Sequence, residues 1–315
     1  MPDCITALEY EGGIVAVDSG MVRSLMAACY LLETDDALAL IEVGSNASVE
    51  RILQVIQSRG RSPDEVSHII VTHVHLDHAG GAGELMARLP NAQFVVHPRG
   101  ARHMIDPSRL EASTRGVYGD QVFDTMYGSL RPIPEHRVTT MEDGQSLTVG
   151  DRPLLFVDTP GHARHHFCIW DERTKGWFTG DTFGVSYRDF DTRNGHFIFP
   201  TTTPIQFDPP ALITSIDRMM EKSPASMYLT HFGRVQNVSE LASRMKAAVH
   251  HLVEIAEAHV DDNNRTESIE NAMMDWLYTG ARDHGVTLPE KQVREILQFD
   301  VVLNTRGIEY WLDHR

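Results

Sequence analysis

Short apolar runs rich in β-branched residues, each closed by glycine or acidic residues, open the chain. CITALEY (4–10), GIVAVD (13–18), ACYLLE (28–33) and ALALIEV (37–43) read as consecutive strands. The pattern then changes period. In SVERILQVIQSRG (48–60), Val49, Ile52, Leu53 and Ile56 recur at helical spacing, and Gly60 suits a helix end. HIIVT (68–72) reads as a buried strand, GELMARL (83–89) as a helix stopped by Pro90, and AQFVVH (92–97) as another strand. Strands alternating with helices in this way predict an α/β layered structure.

Residues 98–136 interrupt the alternation with polar stretches carrying Met and Tyr, such as STRGVYGDQVFDTMYGSL (113–130). The segment is too long for a plain connection and is expected to form a helical cap insertion. Within it Met104, Val117, Tyr118, Phe123, Met126 and Tyr127 can either line an apolar pocket or pack the cap onto the core, and packing is the simpler reading. Strands resume with RVTTM (137–141), PLLFVD (153–158), HFCIW (166–170) and KGWFTG (175–180). PPALITSIDRMMEK (209–222) reads as a helix with Pro in its first turn, and SMYLT (226–230) as the last strand. From about 237 the chain reads helical to its end. The expected division is a catalytic domain over 1–235 and an α-helical C-terminal region over 236–315. The amphipathic stripe of that region can pair two chains into a homodimer or fold back on its own core.

Composition narrows the setting. The chain has 315 residues and a formal net charge of −16, a field that repels nucleic acid and anionic membrane surfaces. Its three cysteines, Cys4, Cys29 and Cys168, are scattered and form no CxxC pair, which fits a reducing compartment better than a disulfide framework. No leader-like segment opens the sequence and no apolar run reaches membrane-spanning length, so the expectation is a cytoplasmic protein acting on a small molecule.

Candidate chemistry concentrates in THVHLDHAGG (72–81), where His73, His75, Asp77 and His78 fall within six positions. The cluster directly follows a predicted strand. Side chains two apart on an extended segment point the same way, so His73 and His75 can face one metal. Asp77 and His78 follow the turn and can face a second, while Gly80 and Gly81 let backbone pass close by. Three further strand ends carry a ligand-type residue: TPGH with His162, TGD with Asp181 and LTHFG with His231. In α/β proteins that edge is where sites assemble. Imidazole and carboxylate together suit zinc, and also iron, manganese or cobalt.

THVHLDH, TPGH, TGD and THFG, in this order and each at a strand end, resemble the metallo-β-lactamase-fold hydrolase superfamily over residues from about 10 to 235. The resemblance implies a four-layer αββα sandwich of α/β (α+β) class, here with an added helical C-terminal region. It implies that His73, His75 and His162 hold one divalent metal, that Asp77, His78 and His231 hold the other, and that Asp181 bridges them. Zinc is the first expectation, with iron or manganese as alternatives. The pattern is similar to glyoxalase II and lactonase-like members, with departures. No cysteine falls at a ligand position. TFGVSYRDF (182–190) replaces the longer glyoxalase II motif, so no glutathione-binding residues carry over. The family's early Asp-Thr-Gly reads IEVG here, with Glu42. The mechanism implied is attack on a thioester or lactone by a hydroxide shared between two metals, with Asp77 taking or relaying its proton. Tyr187, six residues after Asp181, is a candidate for touching substrate oxygen. His166, four residues after His162, can support a ligand or simply fill the core. Competing functions are a phosphodiesterase for a small substrate, a mononuclear iron dioxygenase, and a regulatory or binding protein that keeps residual hydrolase activity.

Overall fold

The computed structural model describes residues 7–202 and 206–315. The first three residues of the expected CITALEY strand therefore lie outside the described residues. In chain order the elements are β1 (Ala7–Tyr10), β2 (Ile14–Asp18), β3 (Ala28–Glu33), β4 (Leu38–Ile41), α1 (Ser48–Ser58), β5 (Val66–Ile70), α2 (Leu76–Ala79), α3 (Ala82–Arg88), β6 (Gln93–Val96), α4 (Pro98–Ile105), α5 (Ser108–Tyr118), α6 (Asp120–Met126), β7 (Val138–Thr140), β8 (Ser146–Val149), β9 (Arg152–Asp158), β10 (Phe167–Asp171), β11 (Gly176–Gly180), α7 (Pro209–Met220), β12 (Ser226–Leu229), β13 (Gly233–Val235), α8 (Val238–Ala258), α9 (Arg265–Asp283) and α10 (Glu290–His314). They divide into two compact units. One holds everything described up to Asp158, with His165–Gly180 and Ala225–Arg234; the other holds Thr159–Arg164, Asp181–Pro224 and Val235–Arg315.

The first unit is built on two sheets. One runs β1-β2-β3-β4-β5-β6-β7, and the other β13-β12-β11-β10-β9-β8. In the first sheet β1 to β4 pair antiparallel, and β4 to β7 pair parallel because helical connections separate them. The period-two alternation decides which core each residue enters. Ala28, Tyr30 and Leu32 of β3 and Ala39 and Ile41 of β4 join Leu154, Phe156, Phe167, Ile169, Phe178 and Tyr228 of the second sheet in one apolar cluster. Their neighbours Cys29, Leu31, Leu38 and Leu40 point the other way, against Val49, Ile52 and Ile56 of α1 and Leu85 and Met86 of α3. Both faces of these strands are buried, which is why they read as continuous apolar runs. Between the sheets Tyr30, Phe178 and Tyr228 form an aromatic knot with centroids 4.8–5.8 Å apart. Each fully buried side chain of this size contributes roughly 1.5–3 kcal/mol.

One ionic group sits in this unit with no exposure. Arg152 forks onto Asp171 at 2.9 and 2.7 Å and donates to the Gly12 carbonyl at 2.7 Å. Burial alone would raise the Asp171 carboxyl. The hydrogen bonds and charge of Arg152, together with Thr174, bring it below the usual range. The cap is also part of this unit. Phe123 and Tyr127 pack with Leu76 in a small cluster, and Met104 joins the larger one, so these cap residues pack onto the core.

In the second unit α7 packs on α8, and α8, α9 and α10 pack on one another. Their buried positions recur at three- and four-residue spacing, as in Leu241, Met245, Val249 and Leu252 of α8 and Ile269, Met273 and Leu277 of α9. Asn304 of α10 donates to the Pro200 carbonyl at 3.1 Å and accepts from the Thr202 amide at 2.8 Å, so the last helix pins the loop at 200–202. Among the described residues no helix is long and apolar enough to cross a membrane.

Candidate metal centre

Strand β5 ends at Ile70, and the chain passes through Thr72 into the histidine turn. Gly80 and Gly81 follow the short helix α2. A Cβ on Gly80 would sit 2.4 Å from the Leu76 carbonyl oxygen, and one on Gly81 2.5 Å from that of Ser45. The expected close backbone approach is therefore real. The loop after β4 is stitched to the turn, since the amides of Val43 and Gly44 both donate to the His78 carbonyl, at 2.8 and 3.1 Å.

Within this unit Asp77, His78 and His231 converge, each offering one ligand atom with all three atoms within 4.8 Å of one another. Asp77 Oδ2 lies 3.5 Å from His78 Nε2 and 3.5 Å from His231 Nε2. His73 Nε2 and His75 Nδ1 face each other at 2.8 Å. His73 and His78 are fully buried, while the Asp77 side chain keeps 25% exposure. Two imidazoles and a carboxylate at this spacing form a donor set that fits a divalent cation of the zinc, iron or manganese type.

Hydrogen bonds behind the rings set their tautomers. The Thr72 hydroxyl donates to Glu42 and so receives from His73 Nδ1 at 3.1 Å, which leaves His73 Nε2 as a lone pair. His231 Nδ1 donates to the Met26 carbonyl at 2.5 Å, which frees Nε2 toward Asp77. Glu42 Oε1 lies 3.3 Å from His78 Nδ1 and 3.4 Å from the Thr230 hydroxyl that donates to it. Glu42 adopts a left-handed backbone (φ 64°), a strained conformation for a residue with a side chain. The longer acid in IEVG thus reaches the histidine turn. His166 is buried and stacks on His73 with centroids 4.7 Å apart. It also lies against Gly180 (φ 49°), where a Cβ would meet Thr72 Oγ1 at 2.4 Å and His166 Nε2 at 2.5 Å. The two described cysteines, Cys29 and Cys168, are buried and free, and burial raises the Cys29 thiol.

The second unit carries the other two candidate ligands together, with His162 Nε2 3.3 Å from Asp181 Oδ2. The His162 ring rests on the Thr201 carbonyl through Nδ1 at 3.3 Å. The TPGH turn fits closely against α7. The Gly161 carbonyl accepts from the Asp208 amide at 2.8 Å, and the Pro160 carbonyl accepts from the Ser215 hydroxyl at 2.6 Å. Gly161 has φ 128°, and a Cβ there would lie 2.3 Å from the Leu212 nitrogen, so the turn requires glycine. Tyr187, the expected substrate contact, is 2% exposed and donates its hydroxyl to Asp300 of α10 at 2.6 Å. Sequence reasoning overlooked Thr72, the Met26 and Thr201 carbonyls and Asn304. Only Thr72, directly before the histidines, had a signal in the chain.

Comparison with known proteins bears on the whole arrangement. The profile of the metallo-beta-lactamase superfamily matches residues 22–231. The metallo-beta-lactamase fold-containing protein ST1585 of Sulfurisphaera tokodaii is 28% identical over 176 residues, which are 55% of this chain and 62% of that protein. The chain therefore spans less than two thirds of that relative. Protein YobT of Bacillus subtilis is 26% identical over 223 residues, 70% of this chain and 88% of that one. Thioesterase pkgB of Emericella nidulans is 28% identical over 157 residues, 48% of this chain and 34% of that one. The crystal structure of the archaeal ST1585 protein superposes with a TM-score of 0.67 at 22% identity, covering 94% of this chain and 98% of the other. The fold is thus the expected mixed α/β sandwich with added C-terminal helices. Proteins of this fold bind metal ions and most are metal-dependent hydrolases. With a matching profile across two thirds of its length and His and Asp groups of ligand type at its strand ends, the chain belongs to the metallo-beta-lactamase superfamily.

Proposed function

We propose that the protein is a dinuclear metal-dependent hydrolase of a small acyl substrate, a thioester or lactone. The observation that carries this reading is the convergence of Asp77, His78 and His231, with the tautomers of His73 and His231 fixed by hydrogen bonds behind the rings. In this reading His73, His75 and His162 would hold one cation, Asp77, His78 and His231 would hold the other, and Asp181 would serve both. When bound, such a pair supplies an acidified water and a Lewis-acid pull on the acyl oxygen.

The chain's own groups do the rest. Glu42 and Thr72 keep His73 in the tautomer that offers Nε2 outward. The Met26 carbonyl does the same for His231. Asp77 takes the proton of the attacking water, since it alone of the first motif keeps a carboxylate edge open to solvent. A relative named as a thioesterase supports the thioester over the phosphodiester alternative. The net charge of −16 disfavours a polyanionic substrate.

Metal analysis and a panel of thioesters, lactones, phosphodiesters and β-lactams test the reading. Two equivalents of zinc, manganese or iron per chain with acyl turnover, abolished by chelation, is the expected outcome. One iron with oxygen uptake, or turnover confined to phosphodiesters, overturns it. Asp77→Asn is expected to keep at least one metal equivalent and to lose about 10²–10⁴-fold in kcat; an unchanged kcat removes Asp77 as the base.

A further inference from the structure

The second unit holds a cavity that none of the candidate metal ligands lines. Its volume is about 590 Å³. Small-molecule sites typically span about 300–1,000 Å³. Arg244, Ala247 and His251 of α8 form one wall, and Trp276, Gly280 and Asp283 of α9 form the other. Neighbours in each set are three or four positions apart, so each wall is one helix face. Asn194 and Phe197, from the segment between β11 and α7, add to the lining.

The two ends of the cavity differ. At one, the rings of His251 and Trp276 meet with centroids 5.0 Å apart. At the other, Arg244 Nη1 donates to His284 Nδ1 at 3.2 Å, and His284 Nε2 donates to the Gly195 carbonyl at 3.0 Å. Asn194 Nδ2 donates to the His284 carbonyl at 2.9 Å. The Phe197 ring leans on that of His284 at 5.7 Å. Trp276 and Phe197 are both only half-buried, so each keeps ring surface for a guest.

The polar end carries two opposite charges that do not pair with each other. Arg244 reaches Glu240 through Nη2 at 2.6 Å, a surface pair four positions apart that contributes little and can yield to another anion. The Asp283 side chain has no hydrogen bond or ion pair among the described residues. Its neighbour Arg282 is engaged by the Val286 and Leu288 carbonyls at 2.8 and 3.2 Å. Asp283 is the last residue of α9, and a carboxylate at that end of a helix is disfavoured until a cation sits beside it. A ligand with only a positive charge would face Arg244, and one with only a negative charge would face Asp283. A zwitterion meets both.

We propose that this cavity is a binding site for a free amino acid with an aromatic side chain. Its ring lies against Trp276 and Phe197, its ammonium group meets Asp283 and Asn194 Oδ1, and its carboxylate meets Arg244. The site is separate from the candidate metal centre and does not depend on the hydrolase reading.

Calorimetric titration of the full-length protein with L-phenylalanine tests it. The companion probes are phenethylamine, which lacks the carboxylate, 3-phenylpropionate, which lacks the ammonium, and L-alanine, which lacks the ring. Phenylalanine should bind one to one with a Kd below about 1 mM. Each truncated probe should bind at least about 10-fold more weakly, as for one lost charge-assisted hydrogen bond. Asp283→Asn should weaken phenylalanine about 10-fold and leave 3-phenylpropionate unchanged. Arg244→Gln should weaken phenylalanine by a similar factor and leave phenethylamine unchanged. Because Arg244→Gln also strips His284 of a partner, Arg244→Lys, which keeps the cation, should recover part of the affinity. Asp283 is exposed and has no partner to lose among the described residues, so its variant reads the site with the fold intact. Absence of saturable phenylalanine binding overturns the proposal. Equal affinity for the three aromatic probes does so too, since the cavity would then be an apolar trap that reads no charge. Unchanged phenylalanine affinity in Asp283→Asn is equally fatal. None of these readouts involves metal or turnover, so their failure leaves the hydrolase reading where it stands.

Discussion

The two turns that carry most of the candidate ligands are supported in opposite ways. The His73–His78 turn is backed by its sequence neighbourhood: Thr72 beside it, and the loop after β4 with Glu42, Val43 and Gly44. The His162 turn leans on elements far along the chain. Asp208 and Ser215 at the start and middle of α7 hold its carbonyls, and Thr201, whose carbonyl takes the His162 ring, lies in a loop pinned by Asn304 of α10. One set of ligands is positioned by side-chain hydrogen bonds to buried charge, the other by close backbone fit.

That contrast can be broken by mutation. The largest effect is expected from Gly161→Ala, which adds a Cβ 2.3 Å from the Leu212 nitrogen at a φ of 128°. Strain and overpacking together should cost about 2–4 kcal/mol. Denaturant unfolding and metal titration should show a less stable protein that loses the His162 share of its metal; wild-type stability would mean α7 yields easily and the fit is loose. Next comes Glu42→Gln, which keeps the shape but removes the charge behind Thr72 and His78. Metal affinity should fall about 10–100-fold, as for other partners that orient ligands, and a competitive chelator assay that finds no change would assign Glu42 to packing alone. The smallest effect on metal should follow Asn304→Ala. It strips the Pro200 carbonyl and the Thr202 amide of their partner and should cost about 1–3 kcal/mol of stability, with less than a tenfold loss in metal affinity, since the Thr201 carbonyl acts only through the His162 ring.

The sequence was most informative where chemistry and local structure coincide. His73, His75, Asp77 and His78 stand out because four ligand-type side chains crowd one strand end, and His162, Asp181 and His231 follow strands with clear apolar patterns. The strands of the first sheet were legible because both of their faces are buried. Strands β8 and β13 were missed: SLTV buries only Val149 and GRV has only three residues, so neither leaves an apolar signature. Glu42 was readable as a departure from IEVG's relatives but not as a contact, because its reach depends on a left-handed backbone that no residue pattern announces. The setting of Tyr187 was equally hidden. Proximity in sequence to Asp181 marked it as a substrate contact, whereas the tertiary structure gives its hydroxyl a carboxylate partner, Asp300 of α10.

The grip of α10 on the loop at 200–202 has a consequence for the order of folding. Asn304 and Pro200 are 104 positions apart, so the support beneath His162 forms only when a long-range contact closes. The His73–His78 turn is tied by contacts much shorter in sequence, from the Val43 and Gly44 amides to His78, and so can take shape before the loop beneath His162 is held.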